Sequence, residues 1–172
     1  MENFSLVASL VVRVRSAWKP DGSRITVQRL FEEAVQRRRI SHGAKDEMNL
    51  ILSVEGLEAR QLEQPVGRAP ITSMYWFKVP STARAANMCW SLLIYVNNIV
   101  ICLMHFLSRP CMKAFAVKVS QDDLNIESAG LGKQIFMSTA YVAQFAPVGS
   151  TYMRVPIYVA WLTLSRSIKI GR

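Results

Sequence analysis

The chain has 172 residues, 51% of them hydrophobic, and 21 Lys and Arg against 12 Asp and Glu give a formal net charge of +9. That length and apolar content exclude a disordered chain and predict a single domain, residues 1–172, with a buried core. The basic surplus points to polyanionic partners: nucleic acid, nucleoprotein or an anionic membrane surface.

In chain order, Phe4–Arg15 alternates apolar and polar residues and predicts a first strand, followed by a turn over Lys19–Ser23. Val27, Leu30, Phe31, Ala34 and Val35 then recur at helical spacing and predict an amphipathic helix. Ser23 or Thr26 can cap its start, and Gly43 is the expected stop. Met48–Val54 predicts a second apolar strand. Pro65, Gly67 and Pro70 mark a loop, with residues 58–74 as the segment expected to be mobile. Tyr75–Val79 predicts a short aromatic strand.

Ala85–Ser108 runs for 24 residues without a formal charge, long enough to cross a membrane. Within it, Leu92–Val96 and Ile99–Leu103 flank Asn97 and Asn98, a pattern that predicts a β-hairpin buried on both faces. Asn87, Ser91 and His105 would add to the cost of placing this segment in lipid. Lys113–Val119, Ile135–Phe145 and Arg154–Arg166 predict further strands, with a loop at Ser120–Gly132 and a turn at Ala146–Ser150. The expected fold class is α+β: an antiparallel β-sheet core with one main amphipathic helix packed on it.

Charge is unevenly placed. Arg13 to Lys45 holds nine basic and three acidic residues, Asp46 to Glu63 five acids and one Arg, and no acid follows Glu127. Signed patches of this kind suit self-association as well as anion binding. Arg37, Arg38 and Arg39 lie near the end of the expected helix, where the helix dipole favours cations. Three consecutive positions span about 200° of a helix, so at least two should face water. Arg37, Arg38, Arg39 and Lys45 are therefore the expected patch for an anionic partner, with Arg13, Arg15 and Lys19 as its extension.

Catalytic and metal chemistry finds little foothold. His42 and His105 have no Cys or carboxylate at ligand or triad spacing. Asp122, Asp123 and Glu127 read as a solvated acidic loop, and Ala129–Lys133 lacks the spacing of a phosphate loop. Cys89, Cys102 and Cys111 are odd in number and lack Cys-x-x-Cys spacing, which suits a reducing compartment. The first residues, with Glu2 among them, lack the basic segment of a signal peptide. The expectation is a protein without enzymatic activity, cofactor or metal.

Val11–Ser16 (VVRVRS), a helix of this size and then Leu50–Gly56 (LILSVEG) together resemble the opening of the rhabdovirus matrix protein core. The resemblance covers about 55 residues and is one of order and pattern. It departs from the animal virus proteins, which carry a long basic tail with a proline-rich budding motif, and is nearer a small matrix protein of a plant-infecting, cytorhabdovirus-like virus. It implies a protein that self-associates, condenses the ribonucleoprotein and bridges it to the inner face of the envelope. The implied partners are a second copy, the viral nucleocapsid with its RNA, and an anionic membrane touched peripherally. The implied location is the virion beneath the envelope, and host cytoplasm and membranes. Tyr75–Pro80 and Leu164–Gly171 are also similar to segments of the 30K-type plant-virus movement proteins, which bind single-stranded RNA. A small jelly-roll capsid protein is the third expectation.

Overall fold

The computed structural model describes residues 2–17, 24–61, 73–107, 120–145 and 148–170. Within them the elements run α1 (Glu2–Ala17), α2 (Arg24–Glu55), β1 (Glu58–Gln61), β2 (Ser73–Trp76), α3 (Pro80–Met104), α4 (Gln121–Ala143) and α5 (Val148–Ile170). The architecture is mostly helical, which corrects the expected α+β fold with an antiparallel β-sheet core. Among the described residues the only sheet is the antiparallel pair β1–β2, in which Glu58 faces Trp76 and Gln61 faces Ser73.

Residues 4–15, 48–54, 92–96, 99–103, 135–143 and 154–166, expected in strands, are helical for reasons the packing makes visible, while of the expected strand Tyr75–Val79 only Tyr75 and Trp76 lie in β2. In α1, Val7, Leu10 and Val14 are buried while Leu6, Val11 and Val12 are exposed. The buried set has helical spacing, and the extra valines on the outer side imitate alternation. Met48–Val54 forms the last two turns of α2, with Leu52 buried and Leu50, Ile51 and Val54 exposed. Gly43 does not stop this helix, which passes through it for 32 residues. The stop is Gly56, whose φ of 73° is the left-handed conformation that favours glycine. The Leu57 N–H then closes back on the Leu52 carbonyl at 3.0 Å, the capping bond of a Schellman turn.

The expected hairpin is one continuous helix, α3, which begins with Pro80 in its first turn. Two apolar runs without alternation fit a buried helix as well as a buried strand, and the uncharged length favours the helix. α3 is the centre of the molecule, packed against α1, α2, α4 and α5. It is long and apolar enough to cross a membrane, but 61% of its most apolar stretch is buried inside the protein.

The asparagines that suggested a turn instead join α3 to α4. Asn87 Oδ1 accepts from Ser138 Oγ at 2.7 Å, and Asn97 Nδ2 donates to Ser128 Oγ at 3.2 Å. Both pairs are ten residues apart on each helix and run in opposite directions, so they fix one antiparallel register.

Ser120–Gly132, expected as a loop, starts α4. Ser120 Oγ accepts from the Asp123 N–H at 3.1 Å, and the Asp123 carboxylate accepts from the Ser120 N–H at 3.0 Å, a reciprocal capping box. Ile135–Phe145, expected as a strand, lies in the second half of α4 and the turn that follows it. Arg154–Arg166 is helical within α5, where Met153, Pro156, Val159, Ala160 and Thr163 are buried on one side. The expected strand Lys113–Val119, the turn Lys19–Ser23 and residues 62–72 of the expected mobile loop lie outside the described residues.

Two apolar clusters fill the interior and share α3. One gathers Leu10, Phe31, Val96 and Val100 between α1, α2 and α3. The other gathers Trp90, Leu93, Ile135 and Met153 between α3, α4 and α5, and is closed by Phe77 after β2.

Candidate polyanion-binding surface

A 32-residue helix turns the arginine triplet of α2 through about 100° per residue, so its members take different directions. Arg38 points inward. Its Nη2 donates to Glu127 Oε2 at 2.7 Å and its Nε to Asn97 Oδ1 at 2.9 Å. Asn97 Nδ2 in turn donates to Glu127 Oε2 at 3.0 Å. On the next turns of the same face, His42 Nε2 lies 3.2 Å and Lys45 Nζ 3.9 Å from Glu127 Oε1. One carboxylate of α4 therefore faces three basic side chains at i, i+4 and i+7 of α2.

This hub is half-buried, and burial raises the cost of any uncompensated charge in it. Burial pulls the Glu127 pKa upward, but hydrogen bonds from Arg38 and Asn97 and the neighbouring positive charges outweigh it and hold the carboxyl below its ordinary value. For His42, burial lowers the pKa, and Arg38 and Lys45 act in the same direction against the opposing pull of Glu127. His42 Nε2 is buried and, despite its closeness to Oε1, is not aligned for a hydrogen bond.

The other expected site residues are dispersed. Arg39 is exposed and Arg37 half-exposed, and neither forms an ion pair among the described residues. Arg13 on α1 pairs with Glu33 on α2. Arg15 is exposed beside an apolar groove between α1 and α3. Lys19 lies outside the described residues. The structure thus engages Arg38 and Lys45 with Glu127 and leaves Arg39, exposed, and Arg37, part-exposed, without an ion pair among the described residues.

Glu127 and Asn97 were not legible as hub residues, because they lie 89 and 59 positions from Arg38. The spacing of Arg38, His42 and Lys45 is a signal, but only once residues 24–55 are read as one helix. Among the described residues no group of three His, Cys, Asp or Glu is placed to hold a metal ion. Searches against family models, curated proteins and solved structures found no match to this chain.

Proposed function

We propose that the chain is a non-enzymatic structural protein of the matrix type, which gathers a polyanionic ribonucleoprotein, associates with itself and holds the assembly against an anionic membrane. The observation that carries this reading is that Arg39, exposed, and Arg37, part-exposed, lie on α2 free of ion pairs among the described residues, in a protein of net charge +9. Cations already matched internally gain little from a second anion, whereas unmatched ones release counterions when a phosphate backbone arrives. Self-association draws on Leu50, Ile51 and Val54, a patch of exposed apolar side chains on the last turns of α2. In a virion this role belongs to the layer beneath the envelope. The strands that carried the resemblance to rhabdovirus matrix proteins are helical in this chain, so the reading rests on charge and surface alone. A jelly-roll capsid would need two packed sheets, which a fold with one two-stranded sheet among its described residues does not offer.

The test is binding of a fluorescent single-stranded RNA across a salt series. The variant Arg37→Ala/Arg39→Ala should bind more weakly, with a salt slope smaller by about 1.4 for two lost phosphate contacts. A folded double variant with unchanged affinity and slope would overturn the assignment.

A further inference from the structure

Two surface grooves, one on α4 and α5 and one on α1 and α3, combine apolar, aromatic and basic side chains. α3 packs against α2 and against α5, while α2 and α5 are not packed on each other. On α5, Arg154, Tyr158 and Trp161 fall at i, i+4 and i+7, one side of the helix, with Val155 adjacent. Tyr158 is 59% exposed, Trp161 56% and Val155 51%, so large apolar and aromatic side chains lie together on the surface of α5. Tyr158 and Trp161 border an open groove of about 490 Å³ between α4 and α5, lined also by Val142, Ala143, Met153 and Ile157, whose one charged lining residue is Arg154.

A second open groove, of about 310 Å³, lies between α1 and α3. Val11, Val14, Ile99 and Cys102 line it, and its one charged lining residue is Arg15. Tyr95 lines this second groove and packs against both apolar clusters of the interior, the one between α1, α2 and α3 and the one between α3, α4 and α5. α1, α4 and α5 all pack on α3, so both grooves lie on helices gathered round the same central helix, and their exposed apolar surfaces are together termed the α1–α3–α5 face. Neither Arg15 nor Arg154 forms an ion pair among the described residues.

From this arrangement we infer that the α1–α3–α5 face is the surface by which the protein docks on an anionic phospholipid bilayer, with Tyr158 and Trp161 at the interface and Arg15 and Arg154 on the headgroups. The inference rests on the membrane half of the function proposed above and gives it a location. Charge complementarity selects the occupant. Both grooves are lined without a carboxylate, and no acid occurs in the sequence after Glu127. A second copy docked through the same face about a two-fold axis would set arginines against arginines with no acid in the grooves to meet them. An anionic bilayer offers apolar depth for the grooves, phosphate and carboxylate for the arginines, and the boundary that Trp and Tyr favour. The geometry also explains how one small protein can bridge: Arg37 and Arg39 belong to α2, across α3 from the aromatic side of α5.

The test is sedimentation of the full chain with vesicles of phosphatidylserine and phosphatidylcholine, and with phosphatidylcholine alone, at physiological salt. The protein should pellet with the first and not with the second. Arg15→Glu/Arg154→Glu should weaken vesicle binding by about 30-fold or more, given the usual effect of each basic residue near an anionic surface. Tyr158→Ser/Trp161→Ser, which changes only exposed side chains, should abolish quenching of tryptophan fluorescence by brominated phosphatidylserine. Arg37→Ala/Arg39→Ala should keep vesicle binding while losing RNA. Equal pelleting of all variants, or loss of vesicle binding in the Arg37→Ala/Arg39→Ala variant alone, would overturn the placement of the membrane face. If the unaltered protein ignores both vesicle types while still binding RNA, the membrane function itself falls and the polyanion function stands. Circular dichroism of each variant separates these results from misfolding.

Discussion

Arg38 on α2 and Glu127 on α4 meet at 2.7 Å, joining two helices whose backbones are not packed together. Removing the carboxylate leaves Arg38 and Lys45 half-buried without their counter-charge. Glu127→Ala should lower stability by about 3 kcal/mol and Glu127→Gln by about 2 kcal/mol, because the amide keeps the acceptor but not the charge. Arg39→Ala, on the outer side of the same helix, should change it by less than about 0.5 kcal/mol. Urea unfolding followed by circular dichroism measures all three.

Stability should fall with acid in two stages. His42 has a folded pKa below its ordinary 6.5, so the unfolded chain takes up its proton first as pH falls below that value, and stability drops until the folded pKa is passed. Glu127 has a folded pKa below its ordinary 4.5, so its contribution is complete above 4.5 and is lost as pH falls further. Thermal midpoints across pH 7 to 3 should show both losses. His42→Gln should flatten the upper stage and leave the lower, and a variant with the same upper stage would contradict the role given to His42.

The two asparagine–serine pairs between α3 and α4 carry a separate prediction. Asn87 is fully buried, and its Oδ1 accepts only from Ser138 among the bonds described for it. Ser138→Ala should therefore cost about 2 kcal/mol, chiefly from the stranded acceptor. Thr139→Ala should cost less than about 1 kcal/mol, because its hydroxyl reaches only the Ile135 carbonyl of its own helix, which the Ser138 hydroxyl also approaches, and strands no side chain of α3. The contrast is readable by thermal unfolding.

Gly132 sits where α4 meets α5. A Cβ built there would lie 3.4 Å from the Ala160 carbonyl oxygen and 3.5 Å from the Ala160 Cα. That is ordinary contact for one methyl, so Gly132→Ala should be neutral or stabilising by up to about 1 kcal/mol through helix propensity. Gly132→Leu has no space against the α5 backbone and should destabilise by about 2 kcal/mol or more. Denaturant midpoints of the two variants should move in different directions.

Parts of this structure were readable in the residues, and the failures share a cause. The apolar stripe from Val27 to Val35 specifies its helix because its spacing excludes a strand. Residues 4–15 and 154–166 are different: enough valine, isoleucine and aromatic side chains lie on their outer sides to imitate alternation. Of those outer residues, Val11, Tyr158 and Trp161 line the two surface grooves. Reading 154–166 as a strand also put Tyr158 and Trp161 on opposite faces, whereas the helix brings them together with Arg154. Gly43 and Gly56 are equivalent by composition, and only backbone φ distinguishes them. The arginine triplet lies on α2, but the inward turn of Arg38 depends on Glu127 and Asn97, which the chain supplies from two other helices.

The central claim is that one chain holds a polyanion on its α2 side and a membrane on its α1–α3–α5 side at the same time. Its most direct test is flotation of labelled single-stranded RNA with phosphatidylserine-containing vesicles in the presence of the protein. The account predicts that RNA floats with vesicles only when the protein is present, that Arg37→Ala/Arg39→Ala carries itself but no RNA, and that Arg15→Glu/Arg154→Glu leaves RNA and protein together below the vesicles. Displacement of RNA by vesicles, with each partner excluding the other, would show a single shared surface and contradict it.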